Sequence, residues 1–195
     1  MSVKVAAVFI FSIAYAITRY YVFGPVSGEN IPLFLMNKAV SMGSVLALLL
    51  AAYNHFKEDA AKSRFWGKIT LHSAAIHILM SFPLITPEYY AVFYGFADTV
   101  SRMDRVGELV MLFGVLAAYF YWLTAQSPGG SPEMRRFKIW SCIFVAAHIF
   151  ELGAGGWLNV AGWHGGMPPI TLITTTAAAI ALLLYILRPA KQRSS

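Results

Sequence analysis

Apolar residues in this chain gather into runs of about twenty, separated by short polar or Gly/Pro-rich clusters, and the runs recur six times. They predict helices over about 3–24, 32–54, 66–86, 106–126, 138–160 and 168–187, each near the 20 residues needed to cross a hydrocarbon core of roughly 30 Å. Backbone groups cannot be left unpaired in lipid, so such runs must be helical.

Composition strengthens this reading. The 195 residues are 58% hydrophobic and 12% charged, with a mean hydropathy of +0.61, against roughly 45–50% apolar and 25% charged in a soluble domain. Little sequence is left outside the runs. The expected architecture is an all-α integral membrane protein, a six-transmembrane-helix bundle forming one domain over residues 1–195.

Charge predicts the orientation. Lys57, Lys62, Arg64 and Lys68 lie in one connection, Arg135, Arg136 and Lys138 in another, and Arg188, Lys191 and Arg193 in the tail. The alternate connections carry no positive excess: 24–31 has only Glu29, 86–105 balances Glu88, Asp98 and Asp104 against Arg102 and Arg105, and 161–169 has no Lys or Arg. The positive-inside rule then expects both termini in the cytoplasm, in a multi-pass protein of a bacterial or archaeal cytoplasmic membrane. The net charge of +6 calls for no nucleic acid, because the basic residues border spans, where they meet the lipid bilayer.

Several other chemistries find no footing. "MSVK", the apolar run after it and "AYA" at 14–16 imitate a secretory signal, but losing this run would leave an odd number of helices and spoil the charge alternation. It is therefore expected to stay as a helix. Cys142 is the only cysteine, which excludes an intrachain disulfide, a CxxCH haem attachment and a thiolate cluster. No P-loop, GxGxxG or low-complexity tract occurs, and "SPGGSPE" at 127–133 reads as a turn-rich loop.

Candidate chemistry lies in the ionisable groups within the runs, which are costly at membrane depth and commonly functional. These are His72, His77, Glu108, His148 and Glu151, with Arg19 and Lys38 nearer the helix ends. His77 stands 11 residues after Trp66 and His148 stands 10 after Lys138, so both reach a depth of roughly 15–16 Å at about 1.5 Å per residue. Their surroundings match as well, "SAAIH" at 73–77 and "FVAAH" at 144–148. Small residues beside a ligating histidine make room for a flat macrocycle, although they also let helices pack closely. Two neutral imidazoles at one level suit the two axial positions of a haem iron, whereas zinc normally needs three or four protein ligands.

On these features the chain resembles the ferric-reductase-like transmembrane domain family, which includes NADPH oxidases, the STEAP metalloreductases and the haem-binding membrane subunit of the methionine sulfoxide reductase system. In two-haem members the third helix opens with a pattern like His-Arg-x-x-Gly, and a second histidine follows 14 residues after the first. Here "SRFWG" at 63–67 fits the opening with Ser63 in the histidine's place, and His77 falls 14 residues later. Arg135 likewise stands 13 residues before His148, where such members carry another histidine. The resemblance implies one haem b held by His77 and His148, as in the single-haem branch.

Other polar residues take supporting roles in this expectation. His72 is about 140° around the helix from His77 at roughly 100° per residue, so it cannot share that ligand direction; it is expected to bond between helices, with proton transfer, quinone binding or substitution for His77 as alternatives. Glu151, three residues beyond His148, lies near the same face and can act on the haem's surroundings or sit solvated at the interface. Arg19, Arg102 and Arg105 are candidate partners of haem propionates or interface anchors, and Glu108 is expected at the interface. No flavin or nicotinamide domain follows residue 187. The expected function is therefore a b-type cytochrome relaying single electrons from quinol, or from a separate cytoplasmic flavoprotein, to an outer-side acceptor or redox partner protein. That makes it an electron-transfer subunit of an oxidoreductase system more than a self-sufficient enzyme. The competing readings are a haem-free six-helix transporter and a structural subunit of a larger membrane complex.

Overall fold

Asp59 and Ser131 decide where two of the helices begin. The computed structural model describes residues 2–90, 94, 105–129 and 131–188. Six long α-helices make the fold: α1 (Ser2–Ile17), α2 (Met36–Phe56), α3 (Ala60–Ser81), α4 (Arg105–Gln126), α5 (Pro132–Trp157) and α6 (Ile170–Leu187). No strand occurs among the described residues.

Helices α3 and α5 both start upstream of the apolar runs that announce them. The Asp59 carboxylate accepts the Lys62 backbone N–H at 2.9 Å, and the Ser131 hydroxyl accepts that of Met134 at 3.1 Å, with Pro132 in the first turn. Capping side chains satisfy N–H groups that have no partner within the helix, so helix formation reaches back past the apolar stretch into the basic segments. The regular part of α1 ends at Ile17 and continues as a wide π-helical turn, Thr18–Val22; a second such turn, Ile31–Leu35, leads into α2.

Among the described residues five segments are long and apolar enough to cross a membrane: Val3–Val22, Gly28–Phe56, Arg105–Gln126, Pro132–Trp157 and His164–Leu187. Helix α3 is long as well, but Lys62, Arg64, Lys68 and His72 lower its hydropathy. Outward-facing residues are apolar on several helices, with Ile10, Phe11, Leu79, Val115 and Leu183 all exposed. An apolar exterior of this extent identifies lipid as the surrounding medium.

Helix α2 is the hub, packing against α1, α3 and α6. Its buried positions are mostly small, including Ala39, Gly43, Ser44, Ala47, Ala51 and Ala52. Small side chains let backbones approach, which is how helices associate where lipid removes the usual hydrophobic drive. At Gly43 a Cβ would come within 2.6 Å of the Phe9 ring of α1. A similar close approach joins α5 and α6, where a Cβ on Gly153 would collide with the Thr171 hydroxyl. Leu48 and Ala52 of α2, Cys142 of α5, and Ala181 and Tyr185 of α6 form one continuous core cluster.

The other packed pair is α4 with α5. Phe113, Phe120, Trp140 and Phe144 stack between them, with ring centroids 5.6–6.1 Å apart. Helices α3 and α4, by contrast, touch only sparsely, tied by the Tyr121 hydroxyl donating to the Gly67 carbonyl at 3.0 Å. The helices thus run in the spatial order α3–α2–α6–α5–α4, and a loosely closed seam separates the ends of the series. His77 and His148 stand on α3 and α5, to either side of it.

Candidate functional site

His77 is half-buried and donates its Nδ1–H to the Asn37 side-chain oxygen at 2.6 Å. Ser81 sets the direction of that bond. Its hydroxyl donates to the His77 carbonyl at 2.8 Å, which leaves its oxygen free to accept from the Asn37 Nδ2 at 3.0 Å. With the amide nitrogen engaged by Ser81, the amide oxygen faces His77 and can only accept. The proton therefore resides on Nδ1, and Nε2 keeps its lone pair.

His148 reaches the same state by a different route. Its Nδ1 lies 2.7 Å from the Val110 carbonyl of α4, and a carbonyl can only accept, so this imidazole also carries its proton on Nδ1. Gly114, one turn further along α4, makes the approach possible, since a Cβ there would stand 3.0 Å from Nδ1 and 3.2 Å from Cε1.

Asn37, Ser81, Val110 and Gly114 are contributors that sequence reasoning missed. Asn37 carried the clearest available signal, an amide within an apolar run, and it is only 1% exposed. A backbone carbonyl such as that of Val110 leaves no mark in a sequence.

The remaining predicted residues are scattered. His72 is exposed, and its Nδ1 bonds the Lys68 carbonyl one turn back in its own helix at 2.7 Å rather than a neighbouring helix. Glu151, Glu108 and Arg105 are exposed, and Arg102 lies outside the described residues. Ser63 and Arg135, which the resemblance aligns with histidines of two-haem proteins, hold helices together. The Ser63 hydroxyl donates to the Ala51 carbonyl of α2 at 3.0 Å; Arg135 donates to the Tyr185 and Ile186 carbonyls at the end of α6 at 3.2 and 2.8 Å.

Arg19 is drawn inside. It sits in the first π-helical turn, 4% exposed. One terminal nitrogen donates to the His164 carbonyl at 3.3 Å and to the Met167 carbonyl; its Nε is buried without a partner. Its guanidinium lies over the Tyr20 ring at 5.1 Å. Lys38, next to Asn37, places its ammonium 5.2 Å from that ring's centre and 4.5 Å from that of Phe34.

The pair of free Nε2 atoms is a two-donor set. Among the described residues no three His, Cys, Asp or Glu side chains gather as a metal-holding group. Two neutral nitrogen donors on separate helices fit an iron whose other ligands come from a porphyrin, and the sparse α3–α4 seam is where a flat group could enter. Comparison with models of protein families and with curated protein sequences finds no match for this chain.

Proposed function

We propose that the chain is a six-span membrane cytochrome b that relays single electrons through one haem ligated by His77 Nε2 and His148 Nε2. The observation that carries this reading is the shared hydrogen bonding of the two histidines: each Nδ1 meets an oxygen acceptor on a neighbouring helix, an arrangement that leaves Nε2 as the donor atom. Ligating histidines characteristically donate their second ring N–H to an outer partner that fixes tautomer and orientation. His72 has its Nδ1 engaged as well, but by a carbonyl of its own helix; His77 and His148 are each oriented by a neighbouring helix.

Helix α3 is the sixth span in this reading. Its Lys62, Arg64 and Lys68 all fall in its first nine residues, at the basic end of the bundle. The stretch beyond is apolar apart from Thr70, His72, Ser73, His77 and Ser81, and four of these bond back to carbonyls of their own helix. With α3 spanning, the termini and basic connections share the cytoplasmic side.

When bound, the haem supplies reversible one-electron exchange at its iron. The protein supplies the rest. His77 and His148 provide lone pairs from two directions, Asn37 and Val110 hold the rings against rotation, and the strength of the Nδ1–H bonds sets how much electron density each imidazole donates. The electron source would be quinol or a cytoplasmic flavoprotein, and the acceptor an outer-side molecule or partner protein.

An absorption spectrum of the purified chain tests this. Dithionite reduction should give b-type bands, and His77→Ala and His148→Ala should each abolish the bis-histidine spectrum. If no such bands form, or if each variant keeps them intact, the reading fails.

A further inference from the structure

Arg19 and Lys38 place two cations inside the outer end of the bundle, and among the described residues neither forms an ion pair with a carboxylate. Their surroundings are carbonyl oxygens and aromatic rings: the two cations lie 5.1 and 5.2 Å from the centre of the Tyr20 ring, and Phe34 and Tyr90 also face the Lys38 ammonium. Aromatic faces attract a cation but do not neutralise it, and an uncompensated charge at membrane depth is expensive to keep.

The bonding of Arg19 shows where compensation would come. Both of its hydrogen bonds to carbonyls leave from Nη1, which leaves the edge made by Nε and Nη2; the Nε is buried and unpartnered. That edge presents two parallel N–H donors, the arrangement that matches the two oxygens of a carboxylate. Lys38 adds an ammonium 5.2 Å from the centre of the same Tyr20 ring, one residue from the Asn37 that orients His77.

We propose that the Nε–Nη2 edge of Arg19 and the Lys38 ammonium form a carboxylate seat at the outer end of the bundle, adjoining the His77 anchor. Two sources can supply the carboxylate: a propionate of a haem held by His77 and His148, which rests on the cytochrome reading, or a soluble organic acid entering from the outer side, which does not.

The test titrates the full chain, produced without haem and purified in detergent, with haem and with haem dimethyl ester, following the Soret band. In parallel it titrates succinate, following thermal unfolding. If a propionate fills the seat, haem binds about tenfold more tightly than the ester, as expected for one charge-assisted contact. Lys38→Met and Arg19→Gln then erase most of that preference, while Lys38→Arg keeps it. If a soluble acid fills it, haem and ester bind alike, and succinate raises the unfolding temperature of the wild-type and Lys38→Arg chains but not of Lys38→Met. A wild-type chain that shows no Soret band with either porphyrin defeats the cytochrome reading, and the succinate titration alone then decides the seat. The inference is overturned if Lys38→Met changes neither the haem-to-ester preference nor the succinate response. It is equally overturned if Asp98→Asn or Asp104→Asn makes succinate bind tenfold more tightly, which would mean that the chain fills the seat itself.

Discussion

The Asn37 amide oxygen and the His77 Nδ1–H meet at 2.6 Å across the α2–α3 contact, and Ser81 fixes which end of the amide faces the ring. A residue on the hub helix thereby selects the tautomer of a residue on its neighbour. Because α2 is the most buried of the five apolar spans, the bond is held by the part of the fold least free to move.

Asn37→Leu removes that acceptor while filling a similar volume. Loss of an outer partner of a ligating histidine typically costs 10–100-fold in metal affinity, so this variant should bind haem roughly 10–100-fold more weakly than wild type. Asn37→Asp should instead keep the haem and lower its reduction potential, since a carboxylate draws the Nδ1 proton more strongly and makes Nε2 a better donor. Soret titration and a potentiometric titration read the two effects. Equal haem affinity in wild type and Asn37→Leu would show that Asn37 does not act through His77.

Much of the architecture was legible from hydrophobic runs, because a span must satisfy its own backbone and can therefore be read locally. Helix starts were less legible: the Asp59 and Ser131 caps extend α3 and α5 by six residues before the expected 66 and 138, driven by polar contacts that an apolar-run reading ignores. For the site, the positions of His77 and His148 along their helices could be counted. Their Nδ1 partners could not, since Val110 contributes only a carbonyl and Gly114 only an absence of side chain. The interior placement of Arg19 was also hidden, because the π-helical turn and the carbonyls of His164 and Met167 that draw it inward are tertiary features.

Gly114 offers a second approach to the same anchor, from the α4 side. A Cβ there would stand 3.0 Å from the His148 Nδ1, closer than carbon and nitrogen normally approach, so the ring must shift to admit any side chain. Gly114→Ala should loosen haem binding and alter the low-spin electron paramagnetic resonance signal, and Gly114→Val should lose the haem, while both keep wild-type helix content by circular dichroism. An unchanged spectrum in Gly114→Val would remove His148 from the ligand set.

Asp59 provides a pH-dependent element at the basic end. The Lys62 ammonium, 2.6 Å from one carboxylate oxygen, and the Lys62 backbone N–H bonding the other hold this carboxyl below its ordinary pKa of 3.8. With the folded-state pKa depressed, the contribution to stability is fully present above the unfolded value of about 4 and fades as pH falls through the lower folded value. Asp59→Asn keeps a capping oxygen but has no proton to gain. Thermal unfolding of the wild type should therefore lose ground relative to Asp59→Asn as pH drops from 5 to 3, by a small margin because the pair is exposed. Parallel pH profiles for the two proteins would show that the Lys62 contact does not couple to stability.

Ser63 and Arg135 stand where the family that the sequence resembles carries histidine in its two-haem members, and each ties a different pair of helices. Ser63 reaches sideways to the Ala51 carbonyl of α2, and Arg135 reaches across to the last turn of α6, so the two side chains serve different neighbours. Restoring histidine at both positions, Ser63→His with Arg135→His, should therefore leave the haem-to-protein ratio unchanged. It should also lower stability, because α6 loses two charge-assisted bonds to carbonyls that have no partner within the helix, a loss of about 1–3 kcal/mol. Iron and pyridine-haemochrome assays read the ratio, and thermal unfolding reads the cost. A second haem in the double variant would mean that residue identity alone distinguishes the one-haem from the two-haem arrangement, and that the helix ties made by Ser63 and Arg135 are incidental to it.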